Sequence, residues 1–166
     1  MTTRQDFSAD EWRLVTGAPW AVGLSVILAE DQGRRATKKE LDALATAPAQ
    51  VAAGFAGNAL VQTALPDVIA HAAAEQVQEH SRAKGAVEQE IHKATVDLCA
   101  QLATLLHARA PYGEADGYKR FVLAVGRAVA DAVADAEYLS IGGGRVSAHE
   151  RKLLQAVSDA LALEDV

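Results

Sequence analysis

Cysteine is nearly absent from this chain. Cys99 stands alone among 166 residues, so no internal disulfide can staple the fold, and a reducing compartment is expected. Proline (four residues) and aromatics (5%) are also scarce. Runs of β-branched residues and alternating apolar and polar stretches are missing too, which argues against a sheet. No apolar run is long enough to span a bilayer. The longest, APWAVGLSVILA at 18–29, falls short of the roughly 20 residues a spanning helix needs. The opening MTTRQDFSADEW has no apolar core of signal-peptide type, and a cytoplasmic protein is expected. Positive charge is in deficit: the net charge is −6, and the resulting field repels both nucleic acid and anionic membrane.

What is present is helix-forming. Half of the residues are apolar, many of them alanine, and small side chains let helices pack closely. At this length one domain over 1–166 is expected to bury roughly 70% of its unfolded surface. No linker, low-complexity tract or charge block divides it. The expected fold is all-α, a single compact bundle of about seven or eight helices.

The helix starts are written locally. Ser8 with Glu11, Thr37 with Glu40 and Ser147 with Glu150 are three capping boxes, and Phe7 and Trp12 occupy the staple positions around the first. Gly17 is expected to end a short first helix and Pro19 to open a second one, buried nearly all round. Pro66 is expected to open a helix to about Lys84, followed by helices from Ala86 to about Arg109 and from Tyr118 to Tyr138. In the last of these, Gly126 and Ala130 form a small-xxx-small pair that lets a neighbouring backbone approach. An echo links the two ends of the chain: an apolar helix, a glycine-bearing loop and a Thr37-x-x-Glu40 start recur around Ser147-x-x-Glu150.

Candidate sites are few. IGGGRVSAHE at 141–150 lacks the lysine of a Walker loop and the spacing of a dinucleotide loop, so the preferred reading is a helix end followed by a capped helix start. Asp131 and Asp135 are four apart and share a helix face, where they could offer oxygens to a hard cation. The plainer alternative is a solvated acidic strip. Arg34, Arg35, Lys38 and Lys39 form the one dense basic cluster. It is either a solvated loop or a cationic corner for an acidic partner or phosphate group, with Lys38 and Lys39 in a first turn where the helix dipole disfavours them. The five histidines assemble into no ligand set, and the Glu-x-x-His element of di-iron bundles does not occur. Cys99 reads as a small core residue. No Ser-His-Asp order or nucleophile elbow points to a hydrolase.

The stretch GRVSAHERKLL after the helix FVLAVGRAVADAVADAE, together with VILAEDQGRRATKKELDAL near the other end, resembles the tellurite-resistance TerB-like proteins. That resemblance implies an all-helical bacterial domain built from a repeated helix pair. It also implies a role in metal and stress responses and a divalent cation (calcium, magnesium or manganese) at acidic loop ends. By position it places Asp31 and Glu40 in the first copy and Asp135 and Glu150 in the second. It covers the two ends of the chain, and the second loop is longer than the pattern.

The expected function is that of a cytoplasmic stress-response or accessory protein working through protein contacts, as a monomer or a homodimer, with or without such an ion. The alternative is a helical module holding a small or lipid-like ligand in a cleft near Trp12 and Trp20. An enzyme is disfavoured for want of a convergent acid, base and nucleophile.

Overall fold

The computed structural model describes residues 1–29, 37–81, 88–138 and 146–163. Among them are six α-helices and no strand: α1 (Ala9–Leu28), α2 (Lys38–Ala52), α3 (Ala59–Ser81), α4 (Glu88–Arg109), α5 (Tyr112–Tyr138) and α6 (Ala148–Ala160). Two 3-10 turns, Arg4–Asp6 and Ala53–Phe55, precede α1 and α3. The all-α expectation holds, while the count of α-helices among the described residues is six.

The difference in count arises at Gly17 and Pro19, where the expected break does not occur. α1 runs through both. Pro19 has no N–H, so the carbonyl of Val15, four residues back, loses its partner within the helix. The buried hydroxyl of Tyr118 donates to that carbonyl at 2.9 Å, reaching across from α5. A substitute bond from a residue 103 positions away thus removes the reason for the helix to end. Gly17 stays helical beneath the ring of His71, where an added Cβ would come 3.3 Å from Nε2.

Other proline and boundary expectations shift for similar reasons. α3 contains Pro66 in its interior. α3 begins seven residues before Pro66, because the Asn58 side chain accepts the N–H of Val61 at 2.9 Å and so caps the earlier start. The same side chain donates to the Glu114 carbonyl at 3.1 Å and joins that start to α5. α5 begins at Tyr112, just after Pro111, and not at Tyr118.

All three capping boxes form as their spacing predicts. At the first, Phe7 and Trp12 close the staple with ring centroids 5.5 Å apart. Glu11 also takes Arg109 at 2.9 Å, tying the start of α1 to the end of α4.

α1 is the axis of the bundle and packs against each of the other five helices. Twelve of its twenty residues are buried, which is why its sequence shows no clear polar face. It meets α5 where Gly126 lies against Val22 and Val26, so the small residue does admit a close neighbour. A polar seam crosses to α4, with Ser25 and Thr95 hydroxyls 2.7 Å apart inside the core and a ring nitrogen of His92 3.1 Å from the Ser25 carbonyl. The buried apolar residues of all six helices form one cluster. Cys99 belongs to it, and burial pushes its thiol up to about 12.

Candidate functional site

The two echoing helix starts come first. Glu40 and Glu150 are buried at the N-terminal ends of α2 and α6, 8% and 1% exposed. In each case one carboxylate oxygen, Oε2, accepts the N–H of the capping residue, at 2.6 Å from Thr37 and 2.7 Å from Ser147. The Thr37 and Ser147 hydroxyls accept the glutamate N–H in return, at 3.3 and 3.1 Å. A carboxylate at a helix start is favoured by the dipole and by charge-assisted bonds, so both glutamates have a structural task independent of any ion.

The remaining candidates separate. Asp31, Arg34 and Arg35 lie outside the described residues, as do the glycines at 142–144. Asp131 is exposed on α5, and the backbone of Asp135 follows one turn later. Lys38 and Lys39 are exposed at the start of α2, where Lys38 pairs with Asp42 at 3.0 Å along its own helix. Among the described residues, no three His, Cys, Asp or Glu side chains gather closely enough to hold a metal ion.

The N-terminal aromatics are buried. Trp12 and Trp20 are each 4% exposed within the core cluster. The Trp12 indole N–H donates to Asp67 on α3 at 2.7 Å. Both rings serve core packing.

An opening does exist elsewhere, at the end of the bundle where α4, α5 and α6 converge. Two adjoining hollows share Ala103, His107, Tyr112, Asp116 and Lys119. The smaller, about 140 Å³, is floored by the methyls of Ala103, Ala110 and Ala115. The larger, about 420 Å³, adds Thr104, Arg120 and Ala162. Tyr112 stands 78% exposed at its edge.

Charge on the cleft wall is organised around Asp116. It accepts from the Arg120 Nε at 2.8 Å and lies 3.7 Å from the Lys119 ammonium. Lys119 also donates to the carbonyl of Ala162 at 3.2 Å. Ala162 has φ of 50°, a left-handed conformation that costs a non-glycine residue about 1 kcal/mol or more. It stands just past the end of α6, the place where a helix terminates with such a residue. The lysine therefore pins a strained helix end to α5 and forms one wall of the cleft.

Sequence reasoning did not find this cleft. Its residues come from Ala103 to His107, Ala110 to Arg120 and Ala162, and only the turn at Pro111 brings the first two groups face to face. The i, i+4 spacing of Asp116 and Arg120 was the one local signal, and alone it reads as a surface ion pair.

Compared with known protein families, curated proteins and solved structures, the chain matches none of them.

Proposed function

We propose that this chain is a TerB-like accessory protein of the bacterial cytoplasm, serving stress response through protein contacts made on the outward face of α3. The observation behind the contact surface is a face without charge. Pro66, Ile69, Ala70, Ala73, Ala74 and Val77 are all exposed on α3. At 100° per residue they fall on one side of the helix over about 17 Å. Val77 is 69% exposed and Ile69 39%. An apolar strip of this length on a helix is a recurrent protein-contact surface.

The occupant that this face fits is α3 of a second copy. Ile69 and Val77 lie four residues either side of Ala73. Two antiparallel copies would therefore set Ile69 of each against Val77 of the other, with the Ala73 methyls at the two-fold axis. Such a contact is self-complementary, as an isologous dimer requires. A single helix face covers far less than the about 800 Å² per partner of a stable complex, so the dimer is weak and dependent on concentration.

An Ala73→Cys variant tests this. The native Cys99 is buried with its thiol pushed up to about 12, so the new thiol reports alone. Under mild oxidation at high protein concentration a disulfide-linked dimer is expected, and adding Val77→Glu should suppress it. A thiol that crosslinks no faster than a cysteine placed at exposed Gln50 on α2 would refute the dimer.

Support for the TerB-like part comes from the repeated Ser/Thr-x-x-Glu starts, each with its glutamate buried in the same capping role. The divalent cation implied by the resemblance belongs to the same proposal. Since Glu40 and Glu150 already serve as caps, it falls chiefly to Asp31, Asp131 and Asp135.

A further inference from the structure

We infer that the cleft between α4, α5 and α6 is a binding site for a small aromatic carboxylate, a function separate from the contacts proposed for α3. Shape supplies the first half of the inference. The hollow of about 140 Å³, lined by Ala103, Ala110 and Ala115 with Asp116 and Lys119 at its side, is close in size to the apolar cavities, about 150 Å³, that accept a single benzene ring. Tyr112 and His107 border it, offering flat faces against which an aromatic ring can stack. Alanine methyls leave that space open because they are too short to close it, and a leucine in their place would fill it.

Charge supplies the second half. Next to the alanine recess the cleft widens to about 420 Å³ and takes in Arg120, within the range of ordinary small-molecule sites. Among the described residues lining it, Asp116 is the one carboxylate facing two cations, Lys119 and Arg120. The trio carries one surplus positive charge. This stands out in a chain of net charge −6, and it matches a ligand with a single negative charge. Arg120 meets Asp116 through Nε, so the terminal nitrogens of its guanidinium are the natural donors for a ligand carboxylate. Lys119, whose side chain is only 12% exposed, is held by Ala162 and Asp116, so one charge on the wall is positioned in advance.

The two halves make separable demands: the recess selects a flat ring, and the cationic wall selects an anion joined to it. Benzoate and phenylacetate are the probes, titrated into the full chain and followed by NMR shifts of the Ala103 and Ala115 methyls. Saturable binding in the millimolar range or below is expected. Inorganic phosphate lacks the ring and benzyl alcohol lacks the charge, so each should bind at least tenfold more weakly. Arg120→Gln should weaken benzoate by about tenfold or more. Tyr112→Ala, at an exposed position, should weaken benzoate while leaving phosphate unchanged. Ala103→Leu should abolish benzoate binding while circular dichroism shows the helices intact.

Three results would overturn the inference: no saturation with either acid, equal binding of phosphate and benzoate, or benzoate binding indifferent to both Arg120→Gln and Ala103→Leu. If the α3 dimer failed its crosslinking test, these measurements would be unaffected.

Discussion

Replacing Gly126 with alanine should destabilise the protein, although helix propensity alone predicts the reverse. In a helix interior alanine is favoured over glycine by about 1 kcal/mol. Here the new methyl would come 2.7 Å from Cγ1 of Val22 and 3.1 Å from Cδ2 of Leu154. Val22 is fully buried on α1, and a β-branched side chain in a helix has essentially one χ1 rotamer, so it cannot turn aside. The two helices must instead separate, and α1 packs on every other helix. Overpacking of that kind costs about 1–3 kcal/mol. Set against the propensity gain, the net loss is about 1 kcal/mol, or a melting temperature lower by about 2–4 °C.

The control is Gly113→Ala, the same chemical change in the first turn of α5, where nothing lies within 4 Å of the new methyl. It should stabilise by about 0.4–1 kcal/mol. Urea denaturation followed by circular dichroism measures both. A double-mutant cycle with Val22→Ala isolates the cause. With Val22 truncated, the overpacking should largely vanish and the propensity gain of about 1 kcal/mol should emerge, a coupling of about 1–3 kcal/mol. Should Gly126→Ala match or exceed the parent in stability, or cost the same in both backgrounds, then close approach of α1 is not what this glycine provides.

Two further outcomes are expected, the first from the proposed ion and the second from two hydrogen-bonded carboxylates. Chelator-stripped protein melted with calcium, magnesium or manganese should gain roughly 5–11 °C from one of them at a hundredfold excess over its dissociation constant. Flat melts with all three would remove the ion from the proposed function. Acid stability should be governed in part by Glu11 and Glu114. Their carboxyls sit below the ordinary value because of bonds, first from the Ser8 backbone N–H with Arg109 alongside, and in the second case from Thr2. A depressed folded pKa means that the stabilisation is fully present above the unfolded value, about pH 4.3, and is lost as pH falls through the folded value. The melting temperature should therefore decline below about pH 4.3, and less steeply in Glu11→Gln; equal acid slopes for the two proteins would refute this.

Much of the local architecture was legible in the sequence. Ser8 and Glu11, Thr37 and Glu40, and Ser147 and Glu150 each hold both partners of a cap within three residues, so spacing alone identifies the helix start. The burial of Cys99 and the close approach at Gly126 were readable as well, because apolar periodicity and small-residue spacing are properties of one helix. The site was much less legible. The capping roles of Glu40 and Glu150 were legible from their spacing, but their burial was not, and the cleft was missed.

Short-range order along the chain was enough to make it helical, to place the starts of its capped helices and to choose the faces they bury. All of these depend on residues within a turn or two of one another. The continuation of α1 through Gly17 and Pro19 has a different origin. The carbonyl that Pro19 leaves without a partner is satisfied by Tyr118, and no local rule can see a donor 103 residues away. The cleft arises at the same level. Ala103 and Tyr112 belong to different helices, Lys119 follows on the second of them, and Ala162 lies just beyond a third. They become a recess with a charged wall only when packing around α1 brings those helix ends together.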